Sequence, residues 1–194
     1  MLGQVTLATE KIGGLWVSVA YDTEGRIIAN SMPVKGRATA RQMVVDALAS
    51  RGIGQFHERT MALGKALAGE VMKAGLGEGR SEKLVPVLSY EGLTDLEREI
   101  YEFVRGVPRG SVVSYGAVAA GVGRPRAARA VGNAMAKNPF PWVVPCHRVV
   151  KSDLSIGGFS GSPCRKGDLL RQEGIEADAK TGKIREKYRQ ARDR

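Results

Sequence analysis

The chain has 194 residues, 43% of them hydrophobic, and a formal net charge of +10. That length can bury one or two modest cores, and no apolar run approaches the roughly 20 residues needed to span a bilayer. The amino terminus has no basic stretch followed by an apolar segment and a cleavage site, so the sequence reads as a soluble, cytoplasmic protein.

Residues 5–9, 14–21 and 26–31 alternate in the manner of strands, with Asp22, Thr23, Glu24 and Gly25 as a hairpin turn. From residue 39 to 50 the pattern turns helical, with Met43, Ala47 and Leu48 on one face, and residues 57–74 continue in that style. Residues 1–85 therefore read as a small α/β domain, and the Gly- and Pro-containing stretch from 75 to about 92 as its linker. A second unit, 93–174, opens at Thr94, an N-cap with Glu97 three residues on, and Leu96, Ile100, Phe103 and Val104 give its helix an apolar face. The remaining stretch, 175–194, carries seven basic and four acidic residues and reads as a solvated helix or a disordered basic tail.

Charge is unevenly spread. Residues 103–152 hold eight Arg or Lys and no acidic residue. A polyanion partner is the natural inference, with a surface basic only for solubility as the alternative. Within that window two short helical patterns between Ser114 and Lys137 flank a tight break at residues 121–124, with Pro125 suited to the first turn of the second helix. This is the spacing of a helix-turn-helix. On the second helix Arg126, Arg129, Asn133 and Lys137 form one polar stripe, while Ala128, Val131 and Met135 form the opposing core stripe. Ala127, Ala130, Gly132 and Ala134 keep it thin enough for close approach to a groove, although an ordinary surface helix has the same pattern.

Residues 142–150, WVVPCHRVV, read as a buried strand interrupted by Pro145, Cys146, His147 and Arg148. A thiol reacts as its thiolate, and a neighbouring imidazole can act as base. Adjacency alone is weak, because successive strand side chains point to opposite faces. The two cysteines, Cys146 and Cys164, lack zinc spacing and read as free thiols, with a bridge between them as the lesser alternative.

In chain order, SYGAVAA, RPRAARAVGNAM, KNPFPWVVPCHRVV, GGFSG and LLRQEG closely resemble the O6-alkylguanine-DNA alkyltransferases, over about residues 93–174. The resemblance implies an amino-terminal ribonuclease-H-like α/β domain and a mainly helical carboxy-terminal domain whose helix-turn-helix enters the minor groove of alkylated DNA. It implies a flipped guanine, and direct, single-turnover transfer of its alkyl group to Cys146. His147 matches the base acting through a water, Glu173 the acid that orients it, Tyr115 a proton donor and backbone contact, and Asn138 a brace for the turn. Arg129 matches the finger that fills the vacated base position, with Arg126, Ala127, Ala130, Asn133 and Lys137 as further DNA contacts. Val149, Phe159, Ser160, Gly161 and Met135 match the base pocket. Phe159 stands where the family often has tyrosine, and Asn133 where glycine is common. No metal and no cofactor are expected, and the protein is expected to act as a monomer. The competing readings are an alkyltransferase-like module that binds damage without transfer, a helix-turn-helix regulator, and a Cys-His hydrolase.

Overall fold

Gly13 and Gly14 both take positive φ, 55° and 86°, the backbone a two-residue hairpin demands, and they join β1 (Thr6–Ile12) to β2 (Leu15–Tyr21). In the computed structural model, which describes residues 4–76, 86–157, 166–178 and 180–190, these strands open a four-stranded sheet. The next turn is held by Asp22, whose carboxylate accepts from the backbone N–H of Glu24 and Arg26 at 3.0 and 2.9 Å and leads into β3 (Ile27–Asn30). The sheet order is β3-β2-β1-β4, with the first three strands antiparallel and β4 (His57–Glu58) parallel to β1.

His57 and Glu58 were expected in a helix. Instead the backbone N–H of His57 donates to Val5 O at 2.9 Å and that of Arg59 to Leu7 O at 3.1 Å, so sheet pairing overrides the local pattern. Helix α1 (Arg37–Ser50) lies on this sheet and α2 (Ala62–Leu76) packs on β1 and β2. The buried face of α1 is Ala40, Val44 and Leu48 at four-residue spacing, not Met43 and Ala47, which are half-buried. Val44 and Leu48 join Val5, Leu7, Ala20, Ile28 and Ala29 in one cluster. Part of the expected linker also belongs here, since Ile27 exchanges hydrogen bonds with Val87 O and Ser89 N, each at 2.8 Å.

Two compact units divide the chain, residues 1–93 with 137–143, and 94–136 with 144–194. The return of residues 137–143 to the first unit departs from the continuous second unit read in the sequence. Asn30 explains it: its N–H donates to Pro139 O at 2.9 Å and its side-chain amide to Pro141 O at 2.6 Å. Trp142 in this segment has a φ of 79° and lies against Gly75 so closely that a β-carbon there would stand 1.1 Å from the indole Nε1. Gly75→Ala should therefore lower stability by about 1 to 3 kcal/mol through overpacking. Gly69→Ala, on the same helix with no atom within 4 Å of the added carbon, should raise it by up to about 1 kcal/mol. Thermal unfolding of both variants checks the opposed signs, and equal shifts would contradict the packing.

In the second unit Thr94 caps α3 (Asp95–Arg105) with the reciprocal Glu97 contacts of a capping box. Helices α4 (Tyr115–Gly121) and α5 (Ala128–Ala136) pack on each other and on α3. Pro125 does not enter α5. It follows Arg124, whose carbonyl accepts from Ala127 N at 2.9 Å, the second position of a tight turn that proline favours. A parallel pair, β5 (Val113–Ser114) and β6 (Val149–Val150), completes the frame with α6 (Lys166–Gln172).

The tail, expected to be a solvated helix or disordered, is mostly exposed among its described residues but is neither: it is anchored to the second unit. Ile175 and Ile184 are buried with Val112, Val150, Leu154 and Leu170, and Val112 exchanges hydrogen bonds with Tyr188 O and Gln190 N at 2.8 and 2.9 Å.

Candidate active site

The expected strand over 142–150 survives only as β6. Pro145 O accepts from Arg148 N at 2.9 Å and Cys146 O from Val149 N, winding Cys146–Arg148 into a single 3-10 turn, which Val144 O precedes by accepting from Cys146 N at 2.8 Å. The three side chains therefore do not alternate across a sheet. All are buried, and Cys146, 6% exposed, is a thiol in no disulfide. Because β5 and β6 are parallel, paired as Val113 with Val149 and Ser114 with Val150, the end of β5 delivers Tyr115 beside the strand that leaves this turn. Ser114 then caps α4 by accepting from Ala117 N at 3.0 Å.

Glu173, just past α6, is the hub of the turn's polar contacts. Its Oε1 lies 2.8 Å from His147 Nε2, and Arg148 donates to both oxygens, from Nε at 3.1 and 3.0 Å and from Nη2 at 2.7 Å. Gly110 N adds a contact at 3.3 Å, while Arg148 Nη1 donates to Val107 O at 2.7 Å. Burial works to raise the Glu173 carboxyl, but the hydrogen bonds from His147 and Arg148 overcome it and bring it down to about 2. His147 moves down from its ordinary value chiefly because it is buried; the Glu173 hydrogen bond opposes the shift, while Arg148 and Lys166 reinforce it. The arrangement is a neutral imidazole that donates from Nε2 to a fixed carboxylate, which leaves Nδ1 as its acceptor.

Lys166 is also buried here. Its Nζ donates to Val149 O and lies 3.4 Å from the Tyr115 hydroxyl. Burial raises the Tyr115 hydroxyl above its usual range, and negative charge on Cys146 adds to that. Val149, expected to present its backbone to a base, thus has its carbonyl engaged by Lys166.

The structure brings Cys146, His147, Glu173, Tyr115 and Val149 together in the second unit. Asn138 lies in the first unit, where its Oδ1 accepts from Phe140 N at 2.9 Å. Met135 is buried on α5, and Phe159, Ser160, Gly161 and Cys164 lie outside the described residues. Of the expected DNA-contacting stripe, Arg129 and Asn133 are exposed on α5, whereas Arg126 and Ala127 precede the helix and Lys137 follows it. The stripe is shorter than expected because the Arg124–Ala127 turn delays the helix start. Arg148 stood out in the sequence but was given no role, and Lys166 was not singled out. An arginine inside an apolar run signals a buried partner, whereas Lys166 sits in a polar segment that reads as surface.

A buried thiol next in sequence to an imidazole held by a carboxylate, on a unit rich in cations, is an arrangement that can serve cysteine-dependent group transfer or hydrolysis. Residues 95–175 match the family described as 6-O-methylguanine DNA methyltransferase, DNA binding domain. The chain is 36% identical over 177 residues to the methylated-DNA–protein-cysteine methyltransferase of Thermococcus sibiricus, covering 89% of this chain and 97% of that protein. It is 42% identical over 107 residues to the protein of that name from Thermococcus gammatolerans, covering 55% of this chain. The chain spans about half to 60% of the length of the curated relatives first matched. The crystal structure of the O6-methylguanine-DNA methyltransferase from Pyrococcus kodakaraensis strain KOD1 superposes with a TM-score of 0.67 at 31% identity, over 89% of this chain and 100% of that one. This chain belongs to the methylated-DNA–protein-cysteine methyltransferase family.

Proposed function

We propose that this chain repairs DNA by moving the alkyl group of O6-alkylguanine, and of O4-alkylthymine where the pocket admits it, irreversibly onto Cys146. The observation that carries the reading is the buried Cys146 thiol one residue before an imidazole whose Nε2 is held by Glu173 at 2.8 Å. With Nε2 committed, Nδ1 can take the thiol proton through a water. The thiolate attacks the alkyl carbon, the carbon–oxygen bond breaks, and guanine departs with the electron pair and takes a proton from Tyr115. The thioether formed has no good leaving group, so each chain acts once and no cofactor takes part.

The helices α4 and α5 act as a helix-turn-helix in the minor groove, with Arg129 filling the place of the flipped base and Asn133 beside it on the exposed face. Arg126, Ala127, Ala130 and Lys137 contact the backbone around that helix, and Asn138 braces the chain leading to the acceptor turn. Val149, Met135, Phe159, Ser160 and Gly161 form the base pocket. The strand order β3-β2-β1-β4, with β4 parallel to β1, supports a ribonuclease-H-like reading of the first unit. The protein acts as a monomer in the cytoplasm; no helix among the described residues is long and apolar enough to cross a membrane.

Intact-protein mass after mixing with an O6-methylguanine duplex tests the reading. A methyl adduct on Cys146, a product plateau of at most one per chain, and its loss in Cys146→Ala with DNA binding retained are the expected results. Binding without any adduct would make the chain a damage-binding module, and repeated turnover would make it a hydrolase.

A further inference from the structure

A cleft of about 90 Å³ opens in the first unit where β1, the start of α1 and the edge strand β4 meet, lined by Leu7, Thr9, Arg37, Glu58, Arg59 and Thr60. Its acceptors are committed. Leu7 O accepts from Arg59 N at 3.1 Å, and the Thr9 hydroxyl shares a hydrogen bond with that of Ser18 at 2.7 Å. Arg41 donates to Glu58 from Nε at 2.9 Å and from Nη2, and this hydrogen bonding holds the Glu58 carboxyl below its usual range. What the cleft has left is donors. Among the described residues Arg37 and Arg59 make no ion pair and the Thr60 hydroxyl no hydrogen bond. Arg37 lies over the Trp16 ring, 5.8 Å from its centroid, which steadies the guanidinium without neutralising it, and the first turn of α1 has no acidic residue to offset it. The guanidinium groups of Arg37, Arg41 and Arg59 are therefore matched by the Glu58 carboxylate alone, which Arg41 already masks.

We propose that this cleft binds one phosphate group through Arg37, Arg59 and Thr60, giving the first unit a polyanion contact of its own beside the α4 and α5 contacts of the second. Guanidinium forks take up oxyanions through paired hydrogen bonds. A tetrahedral phosphate can meet two forks and a hydroxyl arriving from α1 and from the end of β4, where a planar carboxylate offers only two oxygens. The volume fixes the size of the guest: it suits one such group and falls well short of the roughly 300 Å³ at which pockets enclosing whole small molecules begin. A sugar or base attached to the phosphate lies outside the cleft. Two sources carry that chemistry, the backbone of DNA and free or monoester phosphate.

Inorganic phosphate titrated into the full chain, with chloride holding the ionic strength constant, should shift the backbone amides of Arg59 and Thr60 saturably. Arg37→Gln and Arg59→Gln should each weaken that binding about tenfold. Glu58→Gln should strengthen it, because the cleft loses its anion and Arg41 is released to the guest, and misfolding cannot produce a gain. Acetate should bind less tightly than phosphate. Unmodified duplex separates the sources. If the guest is the DNA backbone, Arg37→Gln with Arg59→Gln flattens the slope of log affinity against log salt by about 0.9, the effect of one phosphate, and weakens binding alike with and without a lesion. Weakened phosphate binding with an unmoved slope assigns the cleft to free or monoester phosphate. A shift that does not saturate, an affinity indifferent to both arginines, or acetate binding as tight as that of phosphate overturns the site. None of these readouts passes through an adduct on Cys146, so failure of alkyl transfer and failure of this site are separate results.

Discussion

Arg129→Ala should leave reaction with a free base such as O6-benzylguanine near normal while reaction with alkylated duplex falls by orders of magnitude, even at saturating DNA. Arg129 is exposed near the start of α5, one turn before Asn133, on the helix proposed to enter the groove. As one phosphate contact among several its loss would weaken binding modestly, and added DNA would restore the rate. As a wedge, its loss leaves the unstacking cost of a few kcal/mol uncompensated at every DNA concentration. Single-turnover rates with the two substrates separate these roles. Recovery of the full rate at saturating duplex, or equal losses with both substrates, would remove Arg129 from the flipping step.

A second large effect is expected at Glu173. Removing its carboxylate leaves the Arg148 guanidinium, whose side chain is 8% exposed, without its anion, and breaking a buried pair in this way costs about 3 to 5 kcal/mol. For a chain of this size Glu173→Ala should lower Tm on the order of 10 °C. Glu173→Gln fills the volume but cannot accept from His147 and Arg148 as a carboxylate does, so thiol reactivity should also shift to higher pH while DNA affinity barely changes.

The pH dependence has a definite sign. Glu173 has a folded value of about 2 against an ordinary 4.5, so its contribution is full above pH 4.5 and is lost as pH falls towards 2. His147 is also lowered, from 6.5, so the unfolded chain binds its proton first and stability begins to fall below pH 6.5. Denaturant titrations across this range should give a flatter acid limb for Glu173→Ala than for the unsubstituted protein. Parallel limbs would mean that the carboxylate is not the group whose protonation is felt.

What could be read from sequence alone was whatever short-range chemistry decides. Thr94 and Glu97 announce the start of α3 because both partners of the capping box lie within one turn. Asp22 likewise marks its own hairpin. His57 and Glu58 could not be recognised as a strand, since what makes them one is the carbonyls of Val5 and Leu7, fifty residues earlier. The Cys146–Arg148 turn was hidden for a related reason: an apolar run rich in valine favours a strand, and only the positive φ at Trp142 and the turn at Pro145 break it. Cys146, His147 and Glu173 were legible as a set through the family words that contain them. Lys166 was not, because nothing in RKGD distinguishes a lysine that folds inward from one left in solvent.

The excursion of residues 137–143 into the first unit limits how such a protein can be rearranged. The chain enters the second unit, leaves it before the acceptor turn, and returns at Val144, two residues ahead of Cys146. Phe140 is buried in the first unit, 5.8 Å from the Tyr90 ring in an edge-on contact, with the Arg51 guanidinium 5.9 Å from its centroid. A fragment cut at Leu93 would carry this phenylalanine away from both. Recombination between relatives at that boundary would join an excursion segment from one parent to a receiving surface from the other, so the halves are expected to be inherited together.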